Sequence, residues 1–387
     1  MTADSVDGLL PAVAALPADA IALHIGVHKT GTTALQWALA DARVELRSAG
    51  VCYPGKRKAH HGSALAMLGK SWGWRSQGGE VPRTQVFDRL AAETAAHPGR
   101  VIISSEHFCE ADAAVAARVV DGLGRDRVHV VITLRSLANL LPSSWQQYLK
   151  YGLRATYPEW LENTFEPESE RTKSPSFWKR NDHGALIERW AAQVGPERVT
   201  VIVLEDVDRS VIFRAFSQLL GVDEAILLSR MNLTSNRSMT AQEAELLRLV
   251  NVEVRNRLSW GEYEHLIRNG VARGVVEGRT PGSGEPKLVT PDWALDAAAE
   301  RGRVAADRIA ASGVRVVGDL QLLARRGPSA PPLADDALDA VPMAVAARAL
   351  TGAVLASQGE PSTKEMAADL ARRIRSDVRA RFRRGST

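Results

Sequence analysis

Residues 21–40 read Ile-Ala-Leu-His-Ile-Gly-Val-His-Lys-Thr-Gly-Thr-Thr-Ala-Leu-Gln-Trp-Ala-Leu-Ala. The run from Ala20 to Gly26 is short and apolar, the signature of a buried strand. From about Thr33 to Arg47 the pattern is helical, with Leu35, Leu39 and Ala42 on one face. The turn between them, Gly26 to Thr33, has the makings of an anion site. Gly26 and Gly31 allow a tight backbone turn. Amides at a helix N-terminus point outward along the positive end of the dipole. Lys29 adds a full charge, and three threonines add hydroxyls. An ordinary loop closed by a Ser/Thr cap needs one hydroxyl and neither the lysine nor both glycines.

The same alternation continues downstream. Val101–Ser105, Arg127–Leu134 and Val199–Leu204 read as further buried strands. Helical stretches follow them at about Asp112–Leu123, up to Tyr151, and at about Ser210–Leu220. Apolar strands alternating with helices predict an α/β, P-loop-like three-layer sandwich, a central parallel sheet flanked by helices. Ligands on such sheets bind beyond the carboxyl ends of the strands. After about Ala241 the strand signal fades, and Gln242–Asn256 is strongly helical. We expect one main domain over 18–327, with its core at 18–240 and a helical completion at 241–327. A linker and C-terminal helical extension then occupy 328–387. Two long polar insertions, Gly55–Gly79 and Glu166–Asp182, are of a length that serves as binding loops or lids, or as simple surface variation.

Composition excludes several classes. The chain has 387 residues, 45% hydrophobic and 24% charged, which is ordinary for a globular protein. The net charge is +4, but the last 17 residues hold seven arginines and one aspartate, so the rest carries −2. A nucleic-acid-binding body is therefore not expected. In the tail, Met366, Leu370, Ile374, Val378 and Phe382 recur every four residues, predicting a basic amphipathic helix. Docking on its own domain is its plain reading, with a membrane surface or a partner as the alternative. Two cysteines make neither a disulfide framework nor a four-ligand zinc site. No metal cluster shows ligand spacing. Met1 to Asp7 lacks a basic residue, so no secretory signal is read, and a cytoplasmic location is expected.

The Gly26–Thr33 turn is not a Walker A loop, because Lys29 precedes Gly31. Lys-Thr-Gly-Thr-Thr directly after a strand resembles the 5′-phosphosulfate loop of the sulfotransferase family. The resemblance implies 3′-phosphoadenosine 5′-phosphosulfate as donor and no metal. It places Lys29 beside the oxygen bridging phosphorus and sulfur, and His28, Thr30, Gly31, Thr32 and Thr33 around the phosphate. A second element agrees in order and spacing. Arg135 ends the third strand, and Ser143 follows eight residues later. In the family such a pair holds the donor's 3′-phosphate, where a guanidinium gives bidentate bonds. Arg135-Ser136-Leu137 lacks the Arg-x-Pro of cytosolic relatives, and Ser144 adjoins Ser143. The loop that closes over the 3′-phosphate is not identifiable, with Arg273-Gly274 and Asn236-Arg237 as candidates.

The resemblance implies transfer of a sulfuryl group to a hydroxyl of a carbohydrate or natural-product acceptor. Glu106, in Ser104-Ser105-Glu106-His107-Phe108 at a strand's carboxyl end, is the first candidate base. His60, His61 and His107 compete, since imidazole titrates near neutrality. Trp72 and Trp74 could stack on an acceptor or simply pack. Two other readings stay open. One is a P-loop-type kinase or nucleotide hydrolase, with Glu205-Asp206 after a strand as metal-binding acids. The other is a non-catalytic adenosine-phosphate-binding module. Oligomeric state is unread.

Overall fold

In a computed structural model of the chain, residues 13–358 are described apart from 171, 175, 206–207, 232–236 and 335. Six parallel strands form one sheet in the order β2-β3-β1-β4-β5-β6. They are β1 (Ile21–His24), β2 (Val51–Cys52), β3 (Arg100–Ser104), β4 (Val128–Leu134), β5 (Val199–Val203) and β6 (Arg315–Val317). The helices used below are α1 (Thr32–Asp41), α2 (His61–Leu68), α3 (Ala113–Leu123), α4 (Leu137–Leu149), α5 (Phe177–Asn181), α6 (His183–Val194), α7 (Val211–Leu220), α8 (Ala241–Val254), α9 (Asp292–Ala311) and α10 (Met343–Gln358).

The two-residue period of a strand sorts its side chains between two apolar layers. On one face, Ile21, Leu23, Ile103, Val130 and Ile132 pack against helices that include α3 and α6. On the other, Ala22, Ile102, Val131 and Ile202 meet Leu35 and Leu39 of α1 and Ile212 and Phe216 of α7. Coverage on both faces explains why the strands read as continuous apolar runs. The three-layer α/β architecture expected from the sequence is the one observed.

Details differ. The single helix expected to Arg47 is two, broken at Ala42, with a second helix over Arg43–Ser48. Two short edge strands, β2 and β6, carried no readable signal, because two or three residues are too few for a period. β6 lies beyond Ala241, in the stretch where the strand signal fades. It pairs with β5 through Thr200 and Arg315. The first insertion is not an unstructured loop, since it contains α2. α5 lies within the second insertion.

Beyond residue 240, Thr240 and Glu243 close a reciprocal capping box that starts α8. α10 follows the proline-containing linker and returns to the body, with Val345 and Ala349 in the main core. Its close approach depends on glycine. A Cβ on Gly352 would lie 2.3 Å from the carbonyl oxygen of Gly270. The basic helix predicted from Met366 to Phe382 lies outside the described residues. Among the described residues, no helix is long and apolar enough to cross a membrane.

Gly352→Val is expected to destabilise the fold by about 1–3 kcal/mol, the usual cost of overpacking. Urea unfolding checks this, and an unchanged midpoint would show that α10 does not pack this closely.

Candidate active site

The site forms where β1, β3 and β4 end. β1 lies between β3 and β4, hydrogen-bonded to both. The loop after it turns through three left-handed residues, Gly26 (φ 90°), Lys29 (φ 67°) and Gly31 (φ 78°). Lys29 is the one non-glycine residue with positive φ among the described residues. That conformation is uncommon for a side-chain-bearing residue and concentrates at functional sites. Gly31 is the N-cap of α1 and supplies no side-chain cap, and the first turn holds no acidic residue. The ordinary Ser/Thr cap is therefore absent, and the first-turn amides are left to another partner.

A buried polar chain fixes this loop to the sheet. Thr30 donates its hydroxyl proton to Val27 O at 2.6 Å. Its oxygen therefore accepts from Thr133, also at 2.6 Å. With its proton spent there, Thr133 accepts from His24 Nε2 at 3.2 Å. His24 Nδ1 is then the acceptor for Ser104 Oγ at 2.8 Å. Ser104 Oγ in turn accepts from Gln36 at 3.2 Å. Every step is satisfied with His24 neutral, and burial lowers that ring's pKa to about 4. The Thr30 hydroxyl is thus committed to the scaffold. Of the phosphate-holding groups expected at Thr30, only its backbone amide is left for that task. Thr32 is buried and Thr33 exposed.

Glu106 sits directly behind the loop. A Cβ on Gly26 would lie 2.8 Å from Glu106 Cβ, so only glycine admits this approach. Gln36 donates to Glu106 Oε2 at 2.9 Å, and His61 Nδ1 lies 3.8 Å from the same oxygen. Burial, the largest influence, would raise the carboxyl. His61, His107 and the Gln36 amide outweigh it, so Glu106 sits below its ordinary value. Lys29 is pushed down to about 8, first by burial and then by repulsion from Lys150, with Glu106 opposing.

His28 and Lys29 line a cleft of about 260 Å³ with His107, Trp72, Trp74 and Tyr151. His60, offered above as a base, does not. Its Nε2 donates to Pro54 O at 2.9 Å and its Nδ1 accepts from Ser104 N at 3.0 Å. Both nitrogens are spent tying the insertion to β3, which corrects that expectation. His61 spends Nδ1 on Ser105 Oγ at 3.0 Å. Burial lowers His107 to about 4 against the pull of Glu106.

Arg135 follows β4 and Ser143 lies in α4. The Ser143 hydroxyl donates back to Leu140 O at 3.0 Å, and its neighbour Ser144, not Ser143, lines the cleft. The two arginines offered for the closing loop are both paired, Arg237 through two terminal nitrogens and the exposed Arg273 through Nε. Arg237 makes a two-pronged pair with Glu243 at 2.6 and 2.8 Å, and Arg273 pairs with Glu277 at 2.8 Å. Asn236 and Asp206 lie outside the described residues.

Spacing along the chain hid one cluster. Donor atoms of His28, His107 and Glu110 lie within 4.8 Å of one another. Glu110 is also ion-paired with Lys70, and Arg180 stands 3.8 Å away. Gln36, Lys70, Glu110 and Arg180 were all missed by sequence reasoning. Their partners are distant in the chain, and no local pattern marks them.

No protein-family model matches the chain, and no curated protein does. Among solved structures, a crystal structure of a sulfotransferase from Alicyclobacillus acidocaldarius is similar at 17% identity and a TM-score of 0.39. The match covers 63% of this chain and 98% of that one.

The rings of His24, His60, His107, His129 and His183 are each lowered by burial to about 4. Between pH 6.5 and 4 the unfolded chain binds protons that the folded chain refuses. Stability should therefore fall as pH falls through that window, each ring contributing up to about 1.4 kcal/mol per unit. Urea midpoints measured across it test this. A flat profile from pH 6.5 to 4.5 would mean that the rings are already charged in the folded state.

Proposed function

We propose that the protein transfers a sulfuryl group from 3′-phosphoadenosine 5′-phosphosulfate to an acceptor hydroxyl on a carbohydrate or natural product. One observation carries this reading. Lys29 stands in a left-handed loop at an uncapped helix N-terminus, opens onto a cleft, and has the partly buried carboxylate of Glu106 packed behind it. That arrangement supplies the three needs of the reaction: an anion cradle, a cation at the leaving oxygen and a proton acceptor.

In this reading the loop amides and the first turn of α1 hold the 5′-phosphosulfate. Arg135 holds the 3′-phosphate, and Ser143 joins it by turning its hydroxyl away from Leu140 O. The acceptor enters the cleft with its hydroxyl toward Lys29. The acceptor oxygen bonds to sulfur as the bond from sulfur to the bridging oxygen breaks. Glu106 takes the hydroxyl proton. Lys29 stabilises the charge left on the bridging oxygen, and the nucleotide bisphosphate leaves. A carboxyl below its ordinary value is ionised at neutral pH and so is ready to accept a proton.

No metal has a part in these steps. The kinase reading would draw on Asp206, which lies outside the described residues. A binding module without catalysis would have no use for a partly buried carboxylate at the loop.

Calorimetric titration with 3′-phosphoadenosine 5′-phosphate, set against ATP with magnesium, tests the donor. Binding of the bisphosphate alone is expected, and preference for magnesium-ATP would overturn the reading. Lys29→Ala is expected to lower turnover about a hundredfold to a thousandfold while product binding weakens far less. Equal losses in turnover and binding would reduce Lys29 to a binding residue. Glu106→Gln is expected to stop transfer with donor binding intact, and full activity would remove Glu106 as the base.

A further inference from the structure

The cleft beside Lys29 has a second charged end that the transfer step leaves unused. α5 brings Arg180 into it, and the residues after α2 bring Lys70 and Trp72. Arg180 is only 8% exposed. Its Nε is buried without a hydrogen-bond partner. The nearest carboxylate oxygen, on Glu110, is 3.8 Å from a terminal guanidinium nitrogen, beyond hydrogen-bond length. The other Glu110 oxygen is taken by Lys70. The Tyr148 ring lies 5.2 Å from the guanidinium carbon. Buried guanidinium groups ordinarily spend their donors. This one borders a cleft with its Nε unpartnered and its ion pair to Glu110 longer than a hydrogen bond.

The balance of charge points the same way. Among the charged residues lining the cleft, Lys29, Lys70 and Arg180 face one carboxylate, Glu110. Burial keeps His28 and His107 from adding to that charge at neutral pH. A divalent cation on His28, His107 and Glu110 would have to share Glu110 with Lys70 and sit among three cations. An anion meets the same carboxylate but three cations against it.

We infer that the cleft takes an acceptor that carries its own carboxylate, gripped by Arg180 with support from Lys70, its ring lying against Trp72 and Tyr148. This rests on the sulfuryl-transfer reading and narrows its substrate class. Arg180 and Lys70 come from elements that the donor site does not use, so the two can fail separately.

The test compares 4-nitrophenyl β-glucuronide with 4-nitrophenyl β-glucoside, which differ by one carboxylate. Calorimetric titrations are run on the full chain, with and without saturating 3′-phosphoadenosine 5′-phosphate. The glucuronide is expected to bind about tenfold or more tightly, the scale of a charge-assisted pair. Arg180→Met should erase that preference while leaving glucoside affinity unchanged. Lys70→Met, at a half-exposed position, should reduce it and serves if Arg180→Met does not fold. Equal affinity, no binding of either glycoside at millimolar concentration, or a preference that survives Arg180→Met would overturn the inference. So would zinc binding that His107→Ala abolishes. Failure to bind the bisphosphate would count against the transfer reading alone, because the comparison made without nucleotide still decides this one.

Discussion

The site depends on one buried chain of hydrogen bonds running from Gln36 through Ser104, His24 and Thr133 to Thr30. It joins α1, the loop after β1 and the ends of three adjacent strands. Each hydroxyl gives one proton and accepts one, and this count holds with a neutral imidazole at its centre. In a low-dielectric interior an unmet member would cost more than the chain gains, so the arrangement is all or none. Its consequence is geometric. The loop carrying Lys29 cannot drift from the strand ends, and Gln36, bound at one end of the chain, also holds Glu106.

A left-handed lysine costs about 1–3 kcal/mol and persists only where its surroundings dictate it. Here they do. Gly26 and Gly31 bracket Lys29 with two further left-handed turns, and the hydroxyl of Thr30, the next residue, is anchored to the sheet. The strain places an amine in a buried setting beside a carboxylate. Burial weakens the hold of the proton on that amine, and a bound anion would restore it.

Electrostatics separates the cleft into two regions. Near the loop, Lys29 is opposed by Glu106, which packs behind the loop and does not line the cleft. Farther along, Lys70 and Arg180 outweigh Glu110. Aromatic rings span the interval, with Trp72 and His107 edge to face at 6.2 Å and Trp72 and Tyr151 at 6.1 Å. Such rings give area and shape without adding charge, so the cations at either end keep their full effect.

The sequence by itself determined the central sheet, because β1, β3, β4 and β5 are buried on both faces and therefore read as unbroken apolar runs. It also determined the loop, because its glycines, lysine and threonines are contiguous, and it marked Glu106 by its position at a strand end. It could not determine β2 or β6, which are too short to show a period. Tertiary structure alone decided which hydroxyls and imidazoles are free. Thr30 and His60 are reactive types in plausible places, yet their polar atoms are spent on Val27, Thr133, Pro54 and Ser104, partners that packing supplies. It alone brought Lys70, Glu110 and Arg180 together. Side-chain chemistry is local and can be read from a sequence, whereas the satisfaction of that chemistry depends on neighbours up to about a hundred residues away.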